Sequence, residues 1–490
     1  MTPRLRSPAP AATKLRHLGV SRRLGLGLAV ALAAPLAIAA APATAVSAGP
    51  TAAAPAPEAG AAQQVPARSG RQDHRPGPVG HNLPKVASMT GGGGAVASVD
   101  PVASQVGIDV LRRGGNAADA AIATAAALGV VEPYANGIGG GGFFAYYDAR
   151  SGKVSTIDGR ETAPKALHEK SFVQPDGTPM NFDKVVNSGL SVGVPGTPAT
   201  WKAALDRWGS RSFAAMLEPA QRIAERGFVV DDSFSAATAE NAERFAQFPA
   251  TAKIFLPAGT PVAPGSVLRQ PDLARSYAQL RRHGPAAIYR GRLGSAIVAT
   301  VTKPQTTAGV TVPAGAMTRE DLAAYRALSK APVHSTYRGY DVYGMPVPSS
   351  GGIAVAEALN LLQAYEQRTG LTWKNASQAQ YLNALAEASA TAFADRNRWV
   401  GDVAGVPVRE LISKGFAAER ACGFNPGKAQ ARPIAFGAPD GSYGACAAAA
   451  PAKAGVVNDG QATTHLTVSD KWGTVASYTG ALRTVESTTA

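Results

Sequence analysis

Residues 462–480 read ATTHLTVSDKWGTVASYTG. Side chains alternate along a strand, so Thr463, His465, Thr467 and Ser469 fall on one face and Thr464, Leu466 and Val468 on the other. The bend DKWG then returns the chain along TVASYT, which predicts a β-hairpin with one apolar face. A threonine hydroxyl is a poor nucleophile unless a base sits beside it. One chemical solution makes the threonine the first residue of a chain, so that its own α-amine, with a pKa of about 7.7–8.0, accepts the hydroxyl proton. For an internal Thr463 this demands cleavage of the Ala462–Thr463 peptide bond. Threonine-rich strands are common, and the motif alone fits an ordinary structural strand better.

Upstream, AVASV reads as a short strand, followed by a helix that opens at Pro101 and ends at Gly114-Gly115. Asn116 can cap a second helix, AADAAIATAAALGVVEP, whose small residues predict close packing on every side. FFAYYD and VSTID, joined through Gly152, predict another hairpin. SVGVPGTPATWKAALDRWG is a loop feeding a helix, and DVYGMPVPSSGGIAVAEALNLLQAY a strand, turn and helix. A long helix from about 377 to 399 is expected to bury a stripe of Leu382, Leu385, Ala386, Ser389 and Phe393. The fold class is α+β, without the regular strand–helix alternation of a doubly wound parallel sheet.

The glycine run at Gly137–Gly142 follows a helix and opens a strand. A dinucleotide loop does the reverse, so the run admits either close approach of a ligand or backbone, or a structural turn. Arg160, just past a predicted strand end, either presents its planar fork to a carboxylate or pairs at the surface with Asp158 or Glu161.

Composition sets the class: 490 residues, 45% hydrophobic and 17% charged, carry ample apolar material for a large core. Residues 1–45 combine Arg4, Arg6, Lys14, Arg16, Arg22 and Arg23 with an apolar run and Ala43-Thr44-Ala45, which reads as a cleaved secretion signal and predicts an extracellular protein. A membrane anchor is the alternative, opposed by Pro35 inside the run. The Arg22-Arg23 pair leaves the export route open. Without those six cations the net charge of +14 falls to +8, which does not point to nucleic acid. Residues 46–88 form an Ala/Pro-rich linker with little to bury. The only cysteines, Cys422 and Cys446, either pair as one disulfide or stay free thiols, and neither has metal-site spacing. No metal or cofactor is expected.

Taken together, HLTVSDKWG after the two threonines, the stretch from Val102 to Phe143, DGRETAP, SVGVPGTPATW, MPVPSSGGI and LAEASATAFADRNRWVGD resemble, in order, the gamma-glutamyltranspeptidase (glutathione hydrolase) family of N-terminal-nucleophile hydrolases. The resemblance covers most of the chain from about Gly91. It implies an αββα sandwich made by a precursor that cuts itself into a large subunit, 89–462, and a small one beginning at Thr463, which stay together. It also implies that Thr463 attacks the Ala462 carbonyl, and later the γ-glutamyl amide of glutathione or a related donor. The γ-glutamyl group then passes to water or to an acceptor amino acid or peptide. Arg160 matches the arginine that holds the donor's α-carboxylate.

The pattern departs from the family after Thr463. Ala481 and Arg483 stand, without gaps, where the family has Thr and Asn or Glu, and Thr484 and Glu486 match only if three residues are inserted. The family's acidic residue for the α-amine, its Ser-Ser pair and its Gly-Gly oxyanion donors find no counterpart in 463–490, so the small-subunit half reads as largely missing. Three readings follow: a secreted transferase or hydrolase whose recorded chain is truncated or frame-shifted, a non-catalytic remnant that binds a partner, and a cephalosporin-acylase-like amidase. The polypeptide as written is expected to turn over little γ-glutamyl-p-nitroanilide.

Overall fold

A computed structural model of the chain describes Lys85, residues 88–444 and residues 463–482. The signal 1–45, almost all of the linker, Ala462, Cys446, Thr484 and Glu486 lie outside the described residues. In chain order the elements that matter are β1 (Gly94–Ala97), α1 (Pro101–Arg112), α2 (Ala117–Val131), β2 (Gly141–Asp148), β3 (Lys153–Gly159), α3 (Thr197–Trp208), α4 (Phe213–Arg226), α5 (Pro271–His283), β4 (Leu328–Lys330), β5 (Val333–Tyr337), β6 (Tyr340–Gly344), α6 (Gly351–Thr369), α7 (Gln378–Trp399), α8 (Lys414–Arg420), β7 (Thr463–Asp470) and β8 (Val475–Ala481).

The hairpin expected from residues 462–480 is β7–β8, and it sits in the middle of a six-stranded antiparallel sheet of order β1-β7-β8-β2-β3-β4. Asp470 makes its turn: one carboxylate oxygen accepts the N–H groups of Trp472 and Thr474, and Gly473 takes φ +82°. The other oxygen accepts the Ala117 N–H at the start of α2, which fixes the hairpin to the helix beneath it. On that side Leu466, Val468, Ala476 and Tyr478 are buried with Phe144 and Ile157. Thr463 and His465, with Ala95 and Ala97 of β1, line the opposite, open face.

Alanine content explains α2. All fifteen residues are buried, and their small side chains let α1, α4 and the sheet approach together. Asn116 and Asp119 form the capping box, and Asp119 also accepts from the Ser210 and Arg211 backbone.

Residues 333–444 build a second layer in which α6 and α7 pack on each other, and α6 also packs on α8 and the β5–β6 hairpin. Here one expectation is corrected. Leu382 and Phe393 are 53% and 51% exposed, and Ala386 is also exposed, whereas the buried side of α7 is Ala384, Glu387, Ala388, Thr391, Ala392 and Asp395. Alanines admit the neighbouring helix, and the acids are buried because each finds donors in α8 or residues 430–437.

Candidate active site

Register places the two residues singled out by sequence in one sheet. Thr463 faces Ala481 and Ala481 faces Gly141, while the β2–β3 ladder ends at the Gly142–Gly159 pair, one residue before Arg160. The span from β7 to β3 is three inter-strand spacings, roughly 14 Å between the outer Cα atoms. Between its ends stand an alanine and a glycine, and the Glu161 carboxylate lies over that glycine: a Cβ at Gly141 would be 2.6 Å from Glu161 Oε2.

Arg160 is held at its backbone. Its N–H donates to Asp158 Oδ1 at 3.0 Å, and its carbonyl accepts from Tyr325 Oη at 2.8 Å. The Asp158 carboxylate is taken by Lys330 Nζ at 2.7 Å, so that acid is not the arginine's surface partner. The guanidinium instead lies over the Phe143 ring, 5.8 Å from its centroid. Phe143 was not read as a site residue. The alternation of FFAYYD, which puts it on the open face beside Thr479 and His465, is the signal that could have found it.

The open face beside Thr463 is polar. His465 shares hydrogen bonds with Thr479 Oγ1 at 2.8 Å, Ser477 Oγ at 3.2 Å and Thr467 Oγ1 at 3.3 Å. Desolvation holds its imidazole below the ordinary histidine value, which favours the neutral ring. Behind the strand, Thr464 is buried and bonds Glu132 at the end of α2. Burial lifts the Glu132 carboxyl to about 7, the Thr464 bond opposes the rise, Asp100 and Asp231 reinforce it, and Lys85 counters it.

The glycine run serves strand contact. A Cβ at Gly140 would lie 2.0 Å from the Ala481 carbonyl oxygen, and one at Gly142 2.4 Å from that of Thr479. Close approach of another backbone is therefore what these glycines permit. β8 also runs to Ala481 in unbroken register, so the residue opposite Thr463 is an alanine. Cys422 is disulfide-bonded, while its expected partner Cys446 lies outside the described residues. Among the described residues no His/Cys/Asp/Glu group could hold a metal ion, and no helix is long and apolar enough to cross a membrane.

An antiparallel sheet with an interior strand that begins at a threonine, over a helical layer and with an arginine across the sheet, is the α+β arrangement of an N-terminal-nucleophile hydrolase. The comparisons agree. The family model for gamma-glutamyltranspeptidase matches residues 103–485, and the chain belongs to that family. It is 36% identical over 392 residues to the glutathione hydrolase proenzyme of Bacillus subtilis, an alignment covering 79% of this chain and 64% of that protein. It is also 36% identical over 411 residues to the acylase ACY 1 proenzyme of a Pseudomonas species, covering 81% and 68%. The crystal structure of Helicobacter pylori gamma-glutamyltranspeptidase superposes with a TM-score of 0.63 at 31% identity, over 71% of this chain and 95% of that one.

Proposed function

We propose that the protein is a secreted gamma-glutamyltransferase or glutathione hydrolase, made as a precursor divided at Ala462–Thr463 into a large-subunit part, 89–462, and a small-subunit part from 463. The observation that carries the reading is that Thr463 opens β7 and Arg160 directly follows β3, three strands away in the same sheet. The freed Thr463 α-amine takes the hydroxyl proton as Oγ attacks the γ-glutamyl amide, and gives it to the departing amine as the C–N bond breaks and the acyl ester forms. Arg160 grips the donor's α-carboxylate, and water or an amino acid or peptide acceptor removes the acyl group. No cofactor is needed for these steps. Thr484 and Glu486 stay weak candidates for further donor contacts. Export rests on the sequence of residues 1–45.

The test is release of p-nitroaniline from γ-glutamyl-p-nitroanilide by the full gene product, which Thr463→Ala should abolish. Equal release by the Thr463→Ala protein, or none by the unaltered gene product, contradicts the proposal.

A second reading has its own support, because the acylase relative is as similar as the hydrolase. In it the site takes an acyl group with a terminal carboxylate but no α-amine. Comparing turnover of glutaryl and γ-glutamyl anilides separates the two.

A further inference from the structure

Part of β7 has no neighbour on one side. β1 faces it only from Asp470 to Thr467, and the ladder ends at the Ala97–Thr467 pair. There the chain turns off the sheet: Ser98 Oγ donates to the Asp100 carbonyl at 3.0 Å and shares a hydrogen bond with Ser104 Oγ at 2.7 Å, and Asp100 caps α1. Residues Thr463 to Leu466 therefore run on beside β8 alone. At about 3.3 Å per residue they form an open edge of roughly 13 Å.

The turn decides which groups point there. The Asp470 N–H donates to the Thr474 carbonyl at 3.0 Å, so even-numbered residues of β7 bond β8 and odd-numbered ones direct N–H and C=O to the other side. The Ser469 carbonyl agrees, since a Cβ at Gly94 of β1 would stand 2.7 Å from it. Hence the Thr463 carbonyl and both backbone groups of His465 face the open edge, and both residues are exposed. Among the described residues nothing bonds those groups. Such backbone is a template for one more strand.

Direction selects the occupant. Arg160 follows β3, on the β8 side of Thr463, so a donor whose α-carboxylate is held there sends its amine half the other way, to where β1 has ended. A peptide that starts at Thr463 and passes His465 runs parallel to β7. Parallel strands bond through the residues that flank each opposite number, so the bonds slant. The first peptide residue, opposite Thr464, donates its N–H to the Thr463 carbonyl and accepts from the His465 N–H. The third donates its N–H to the His465 carbonyl, while the N–H of the second points away from the sheet.

We propose that this edge of β7 is the subsite for the amine half of the substrate, an extended peptide of about three residues held through its backbone. The inference rests on the acyl transfer proposed above. Attack by an acceptor is the reverse of donor cleavage, so the acceptor enters along the same edge. Its amine attacks the ester carbonyl and gives a proton to the Thr463 α-amine, which returns it to Oγ as the ester bond breaks.

Amide exchange of the full gene product, with and without triglycine, reads the edge without turnover. Triglycine should slow exchange at His465 at least about tenfold and leave Thr464 and Leu466, already bonded to β8, unchanged. Alternation along the peptide is the second mark. Glycyl-sarcosyl-glycine, methylated on the nitrogen that points away from the sheet, should protect His465 as triglycine does. Glycyl-glycyl-sarcosine cannot donate to the His465 carbonyl and should need at least about tenfold more peptide for the same effect. No slowing at His465, or equal strength for glycyl-glycyl-sarcosine, overturns the subsite. Release of p-nitroaniline by the same preparation reports acyl transfer separately: release without protection of His465 removes the edge alone, and protection without release keeps the peptide site and removes the acyl transfer.

Discussion

At the scale of single residues, the account depends on what Arg160 has been left to do. Asp158 is committed to Lys330 and to the arginine's backbone, and Phe143 supports the guanidinium from below. Truncation should therefore cost donor affinity. Arg160→Ala is expected to raise KM for a γ-glutamyl donor at least about thirtyfold, equivalent to about 2 kcal/mol, with a smaller change in kcat. Arg160→Lys should recover only part of this, because an ammonium keeps the charge but loses the bidentate fork. A KM unchanged in Arg160→Ala would remove the arginine from the site. The strand that opens at Thr463 and the strand that ends just before Arg160 were both legible in the sequence. Phe143 and the Glu132–Thr464 contact were not, since each depends on which neighbour the sheet register or the end of a helix supplies.

Between elements, the sheet and α2 make two further predictions. Gly142 has no room for a side chain against β8, so Gly142→Ala should lower stability by about 1–3 kcal/mol in denaturant unfolding. Gly152→Asn is the control: its φ of +68° suits asparagine and nothing lies within 4 Å, so stability should change by less than about 0.5 kcal/mol. An equal loss at both positions would contradict the close strand contact. Glu132 gives a pH dependence. Its folded pKa is raised from 4.5 to about 7, so the stability associated with its protonated form is complete below about pH 4.5 and declines as pH rises toward 7. The decline is at most about 3 kcal/mol. Unfolding curves of Glu132→Gln between pH 5 and 7 should be flatter than those of the unaltered protein, and identical slopes would exclude Glu132 as the titrating group. The same scale shows why α7 was misread. Helical periodicity finds an apolar stripe, but Leu382 and Phe393 face outward, while Glu387 and Asp395 are drawn inward by donors more than thirty residues away in residues 430–437. No local pattern announces such partners.

For the molecule as a whole, the decisive feature is that β7, which begins at Thr463, is hydrogen-bonded on both sides, to β1 and to β8, and that β8 continues the ladder to β2. A cut before Thr463 leaves those ladders intact. The two products should then co-purify and separate only in denaturant. The alternation of TTHLTVSD, the Asp470 turn and the capped alanine helix already carried this architecture in sequence form, because each is a local rule that the tertiary structure reinforces. The central claim is that Thr463 is a chain start in waiting. Mass spectrometry and amino-terminal sequencing of the full gene product after purification test it most directly. The account predicts a fragment whose first residue is Thr463, absent from Thr463→Ala. A single uncut chain, or the same cut in Thr463→Ala, would contradict it.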